Sequence, residues 1–283
     1  MKYNIRFFLL CIMASVLLYA CGGDNGGGSS VTTADAPSVS AITAGTVMYK
    51  KGALFTVTGQ LLDKGITATA IGCSNLIEQQ GGTDTSRSYS CVPFFINPII
   101  TISATTGATF LKQFSMSVPN PQVTIETSMG TIVVELRPDK AKLTVDNFLQ
   151  YVNDGFYSST LFHRVVNGFV VQGGGYSVND QTTLKPARDP IILEAPAATG
   201  LSNTLGSIAM ARTSTLNSAT SEFYFNTGDN NTRLDTDSGG YAVFGSVIKG
   251  MDVVKAIDAV AVDSKSWPTS AVTILSASQT SSL

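Results

Sequence analysis

Apolar and polar positions divide this chain into stretches of different kinds. Residues 7–20 form one apolar run behind Lys2 and Arg6, and 21–38 (CGGDNGGGSSVTTADAPS) is glycine- and serine-rich with no apolar period. From 39 to 118 the apolar residues gather in short β-rich segments separated by turn residues, at 46–49, 54–58, 66–71, 88–92, 99–103 and 114–118. That spacing predicts an all-β sandwich, with an immunoglobulin-like arrangement among its forms. Pro119-Asn120-Pro121 discourages either flanking element from continuing and marks a boundary. Beyond it, 123–127 and 131–136 around Ser128-Met129-Gly130 predict an opening hairpin. Thr144 as N-cap, an apolar stripe of Val145, Phe148, Leu149 and Val152, and Gly155 as a stop predict a helix packed on a core. Met251, Val254 and Ile257 predict a second helix, and 272–277 a closing strand. Two helices among many strands argue for an antiparallel barrel over a parallel α/β sheet.

The densest pattern lies at 162–175, where Phe162-His163-Arg164-Val165-Val166 and Phe169-Val170-Val171 flank Asn167-Gly168. Asn-Gly between hydrophobic runs is a strong hairpin signal. Alternation puts Phe162, Arg164 and Val166 on one face and Val165 on the other. Arg164 thus sits among apolar neighbours, where an arginine usually has a partner or a ligand. Gln172 follows with an amide, then Gly173, Gly174 and Gly175 with backbone free of Cβ atoms.

This stretch resembles the signature of the cyclophilin family of peptidyl-prolyl isomerases, Phe-His-Arg-Val-Ile-x-Gly-Phe-x-x-Gln-Gly-Gly. The resemblance continues through Ile208-Ala209-Met210-Ala211-Arg212, through 218–226, Leu234-Asp235 and Tyr241-Ala242-Val243-Phe244-Gly245. It covers the chain from 122 to about 278 and implies a mainly β fold, a closed eight-stranded antiparallel barrel capped by two helices. The implied activity is cis/trans isomerisation of X–Pro bonds in polypeptides, without cofactor or metal.

An X–Pro bond turns slowly because rotation breaks amide resonance, a barrier of about 18–20 kcal/mol. Catalysis needs an apolar floor for the proline ring and a donor whose hold strengthens as the amide twists. By resemblance Arg164 is that donor, Gln172 orients it and holds substrate backbone, and Phe169 forms the floor. Val170, Ala211, Arg212, Glu222, Phe223, Tyr224, Leu234 and Tyr241 line the groove, Arg212 through its backbone. His163, the single histidine, reads as a satisfied core residue pointing away from Arg164, since no Gly-x-Ser-x-Gly elbow accompanies it. Two positions depart from the family pattern: Glu222 stands where Gln is usual, and Arg233 where Trp or Phe is usual. A carboxylate at 222 is expected to pair with Arg164, unless Arg233 takes it instead.

Composition then sets the surroundings. The 283 residues, 43% hydrophobic, suffice for two domains, and a formal charge of −2 with no basic cluster argues against nucleic acid. Lys2, Arg6 and the apolar run have the shape of a signal peptide, ending in Leu18-Tyr19-Ala20-Cys21-Gly22, which resembles a bacterial lipoprotein processing site. The expected layout is a signal peptide over 1–20, a flexible tether over 21–38, a small β-sandwich over 39–118 and an isomerase domain over 119–283. The expected product is a monomer, lipid-anchored through Cys21 and facing the periplasm, with Gly22 favouring the outer membrane. Of four cysteines, Cys11 lies in the signal and Cys21 takes the lipid, so Cys73 and Cys91 are left to pair in an oxidising compartment. These two thiols and one remote histidine offer no metal-ligand spacing. Two alternatives remain, a proline-peptide-binding module or holdase with little turnover, and an interaction protein working through 39–118.

Overall fold

The computed structural model describes residues 36–280. The expected signal peptide with Cys11, the lipidation site Cys21 and all but the last three tether residues lie outside the described residues.

Seven strands come first: β1 (Ser38–Ala44), β2 (Ala53–Gln60), β3 (Ile66–Ile71), β4 (Cys73–Glu78), β5 (Ser86–Pro93), β6 (Ile99–Ala104) and β7 (Phe110–Ser115). They form two antiparallel sheets in the orders β1-β2-β5-β4 and β3-β6-β7. Four plus three strands in these orders is the arrangement of a constant-type immunoglobulin sandwich. Alternation works as it should on β2, which buries Ala53, Phe55, Val57 and Gly59 in turn. Phe55 stacks on Tyr89 at 5.4 Å, and the second sheet buries Ile100 and Ile102. Cys73 and Cys91 are joined on neighbouring strands with Cα atoms 5.8 Å apart, so the bridge lies within one sheet.

Three expectations need correction here. Residues 46–49 are not a strand but part of the β1–β2 connection, where Val47 and Tyr49 are buried as anchors. Strand β7 ends at Ser115, and Met116 and Val118 are buried in the segment after it. Strands β1 and β4 fall outside all the expected segments, and each buries one residue.

The fully buried Tyr49 ties these sheets to the rest of the chain. Its hydroxyl donates to Asp146 Oδ1 at 2.8 Å, and its carbonyl accepts from Gln279 Nε2 at 2.8 Å. Burial, reinforced by Asp146, pushes the hydroxyl pKa up. Lys50 and Lys142 flank the same carboxylate at 3.0 and 2.6 Å.

From 122 onward the strands are β8 (Gln122–Thr127), β9 (Gly130–Leu136), β10 (Thr160–Val166), β11 (Val170–Ser177), β12 (Asp180–Leu184), β13 (Ser207–Met210), β14 (Phe223–Asn226), β15 (Val243–Lys249) and β16 (Thr273–Thr280). Their order, β10-β16-β8-β9-β15-β13-β14-β11, closes on itself through the β10–β11 hairpin, with β12 appended to β11. The result is an eight-stranded antiparallel barrel with no free edge among those eight strands. Phe148, Tyr157, Phe162, Phe223, Phe225 and Phe244 fill its interior, all 1% exposed or less. The helices are α1 (Lys142–Asn153), short α2 (Pro196–Thr199), short α3 (Asn231–Leu234) and α4 (Met251–Asp258).

Helix α1 begins before Thr144, which lies in its first turn and is not the N-cap. Glu194 caps it from a distant loop, accepting from the amides of Leu143 and Thr144 at 3.1 and 2.8 Å and from Thr144 Oγ1 at 2.7 Å. At the other end Gly155 takes φ +67°, Phe156 donates to the Tyr151 carbonyl, and the two rings meet at 4.7 Å. This is the αL stop with its hydrophobic clasp.

Candidate active site

The site is built on the β10–β11 hairpin. Its loop holds three residues, Asn167, Gly168 and Phe169, since Val166 pairs with Val170. Only Gly168 takes positive φ, at +70°. The Asn167 side chain instead donates to the Asp258 carbonyl at 3.0 Å, and the Gly168 amide to the Asp258 carboxylate at 3.0 Å, so the end of α4 fixes the turn.

Strict alternation fails on β10. Phe162 pairs with Gly173 and Arg164 with Gln172, so two residues of β10 face one of β11, and the extra one is His163. Phe162 therefore points into the barrel with Val165 and Val171, while Arg164 emerges on the outer side; the two do not share a face.

Outside the barrel, Phe169, Val170, Ala211, Tyr224, Leu234 and Tyr241 form a separate apolar cluster. With Arg164, Gln172, Arg212, Arg233 and Asp237 they line a cavity of about 380 Å³. Phe223 does not join them. Along β14 the side chains alternate, so Phe223 and Phe225 enter the core and Tyr224 alone faces the groove. Phe223 meets Phe148 edge-on at 5.5 Å and is 1% exposed, which removes it from the groove lining.

A chain of hydrogen bonds sets the polar wall. Arg164 Nη1 donates to Gln172 Oε1 at 3.3 Å, and Gln172 Nε2 donates to Glu222 Oε2 at 2.7 Å. His163 Nε2 lies 3.2 Å from the same Glu222 oxygen. Glu222 thus pairs with neither Arg164 nor Arg233, contrary to the expectation from sequence. Burial pushes its carboxyl up, but the hydrogen bond and charge of His163 and the bond from Gln172 outweigh that, leaving the pKa lowered. His163 joins the polar wall through this bond, where alternation alone had turned it away from Arg164. Its ring stands against Tyr176 at 4.8 Å and Trp267 at 5.7 Å, with Nδ1 buried and unpartnered among the described residues. Gly175 makes the room, since a Cβ there would lie 2.9 Å from the Glu222 carboxyl carbon.

Arg212 acts through its side chain. It donates to the carbonyls of Thr213, Ser238 and Gly240 at 2.7–3.2 Å and stacks on Tyr241 at 4.4 Å, bracing the 238–240 loop. Arg233 stands over the Phe169 ring at 5.4 Å, with Asp237 at 3.7 Å.

Below the groove lies an asparagine scaffold that no sequence pattern singled out. Asn203, fully buried, accepts from Tyr224 Oη at 2.8 Å and donates to Asp235 Oδ1 and to the carbonyls of Leu234 and Tyr241. Asn230 donates to the Phe169 carbonyl at 2.7 Å. These amides hold the floor ring and its facing loop to one frame; buried polar side chains have no periodicity to betray them.

The chemistry on offer is non-covalent. Arg164 carries five N–H donors and spends one among the described residues, so a guanidinium with unspent donors borders an apolar floor.

Known proteins resemble this chain over the barrel. Residues 122–279 match the family described as cyclophilin type peptidyl-prolyl cis-trans isomerase/CLD. The chain is 45% identical over 141 residues to a peptidyl-prolyl cis-trans isomerase of Acinetobacter baylyi, covering 49% of this chain and 72% of that one. It is 46% identical over 143 residues to peptidyl-prolyl cis-trans isomerase B of Escherichia coli, covering 49% and 85%. A solved cyclophilin type isomerase of Cryptosporidium parvum, crystallised in the presence of the dipeptide Ala-Pro, superposes with a TM-score of 0.48 at 23% identity, over 57% of this chain and 99% of that one. The matched segment begins at 122 and leaves the two N-terminal sheets outside it. The chain belongs to the cyclophilin-type peptidyl-prolyl cis-trans isomerase family.

Proposed function

We propose that this peptidyl-prolyl cis-trans isomerase acts on X–Pro bonds of exported polypeptides in the bacterial envelope and assists their folding. The proline ring rests on Phe169, Val170, Tyr224 and Leu234, and Arg164 donates to the prolyl nitrogen. That nitrogen gains basicity as the amide twists and its lone pair leaves resonance, so the bond from the guanidinium is stronger at the transition state than in either isomer. Gln172 holds the guanidinium in place and meets the substrate backbone. The observation that carries the reading is the partly spent Arg164 guanidinium at the edge of an apolar floor.

The test is exchange NMR on an Ala-Pro peptide with the full chain. Wild type should speed interconversion, and Arg164→Ala should lose on the order of 10²–10³ of that effect, as for removal of one preorganised donor. Equal rates for the two proteins would defeat it. A second reading, a proline-peptide-binding module with little turnover, is favoured by Arg233, whose guanidinium stands over the floor ring. Binding without acceleration would support it.

For the setting, the cleavable signal over 1–20 and a lipid on Cys21 would place a monomer on the periplasmic face of the outer membrane, with 21–38 as tether and 39–118 as a spacer. The Cys73–Cys91 bridge fits an oxidising compartment. Radiolabelled palmitate incorporated by wild type and not by Cys21→Ser is the expected result. Label in both, or in neither, would remove the anchor from the proposal.

A further inference from the structure

The groove carries an electrostatic bias that the isomerase chemistry does not use. Three arginines and one aspartate line it, a formal +2, while the whole chain is −2. Not every cation there is available. Arg212 is committed to three backbone carbonyls and the Tyr241 ring. Arg164 faces Gln172 and is reserved for the amide being twisted.

Arg233 is different. Its side chain is 70% exposed, and its one ionic neighbour among the described residues, Asp237, is 55% exposed and 3.7 Å away. An exposed pair at that separation is weak and easily exchanged for a better acceptor. The guanidinium is held over the Phe169 ring, 5.4 Å from its centroid, so it is positioned without its donors being consumed. A planar fork with free donors matches a carboxylate in two parallel bonds. With consecutive Cα atoms about 3.8 Å apart, a residue next to a proline seated on Phe169 has its side chain within reach of that fork.

We propose that Arg233 makes this groove select client segments in which an acidic residue, Glu or Asp, flanks the proline. This rests on the isomerase reading above and names the substrate class of that same site. Glu222 is not part of the groove lining; its carboxylate accepts from Gln172 Nε2 at 2.7 Å and lies 3.2 Å from His163 Nε2, on the far side of Gln172 from Arg164.

The probes are paired peptides with Glu or its isostere Gln beside the proline, placed before it in one pair and after it in another. The readout is the ratio of kcat/KM for the Glu peptide to that for the Gln peptide, measured on the full chain by protease-free exchange NMR. The ratio cancels any effect of a substitution on turnover in general. Wild type should give a ratio of about 3–10 in at least one pair at low salt, falling toward 1 near 1 M salt as the charges are screened. Arg233→Gln should give about 1 at both salt levels, and Arg233→Lys should restore part of the preference. A ratio of 1 in wild type for both pairs, or a preference that survives in Arg233→Gln, overturns the proposal. Fluorescence anisotropy with the same peptides separates the two readings. Selective binding without acceleration would sink the isomerase reading and leave this one standing, whereas acceleration without selectivity would do the reverse. Neither binding nor acceleration would sink both.

Discussion

Glu222 Oε2 receives Gln172 Nε2 at 2.7 Å while the other end of that amide receives Arg164, so the acid reaches the arginine only through Gln172. A carboxylate can only accept, which leaves the Gln172 amide one orientation, nitrogen toward Glu222 and oxygen toward Arg164. Direct pairing of Glu222 with Arg164 would have slowed catalysis; the relay found here positions the guanidinium instead.

Glu222→Gln should therefore lower kcat/KM, by about threefold, because a neutral amide can accept or donate and no longer fixes its neighbour. Glu222→Ala should cost more, about tenfold, since Gln172 Nε2 and His163 Nε2 both lose their acceptor. A rate increase in Glu222→Gln would mean that the acid clamps Arg164 after all. Steady-state kinetics on one neutral Ala-Pro peptide decides it.

The lowered pKa of Glu222 gives a pH signature. A carboxyl whose folded pKa lies below its unfolded value stabilises the fold above the unfolded value, about 4.3, and loses that contribution as pH falls through the folded one. The stability difference between wild type and Glu222→Gln should shrink as pH falls below about 4. Urea midpoints across that range measure it; a difference independent of pH down to 3 would contradict the shift.

Glu194 caps α1 from outside the groove, accepting from two backbone amides and the Thr144 hydroxyl. Glu194→Ala should cost about 1–2 kcal/mol of stability, as for other lost N-terminal caps. That amounts to a fall of a few degrees in Tm, with kcat/KM unchanged. Thermal melts alongside kinetics test both halves.

Digestion without reductant should yield one linked peptide pair containing Cys73 and Cys91, which the structure joins. Replacing both by Ser should destabilise the chain by about 3 kcal/mol, as expected for a loop of this length. Two free thiols by mass spectrometry would refute the bridge.

The site was legible where its residues are contiguous. Arg164, Phe169 and Gln172 belong to one hairpin, and hairpin pairing alone brings them to the groove. It was illegible where a single register shift intervenes. The extra residue at His163 turned Phe162 inward and brought His163 to Glu222, which no alternation rule anticipates. Phe223 was misplaced for the opposite reason, since there the period of two does hold and sends it to the core. In the N-terminal sheets, the apolar pattern found β2, β3, β5 and β6 and passed over β1 and β4, although β3 buries no more than they do. Residues 46–49 are apolar because Tyr49 is an anchor, and burial without pairing reads like a strand.

That anchor also ties together the melting of the two parts of the chain. Tyr49 leaves the N-terminal sheets to bond α1 through Asp146 and β16 through Gln279, and β16 is itself a barrel stave. Opening the sheets strips the barrel of a buried ring and two hydrogen bonds, and opening the barrel leaves Tyr49 without cover. Loss of either part raises the free energy of the other, so the described residues should unfold in one calorimetric transition. A cut at the Pro119-Asn120-Pro121 boundary would then yield a barrel weaker than the same barrel in the intact chain.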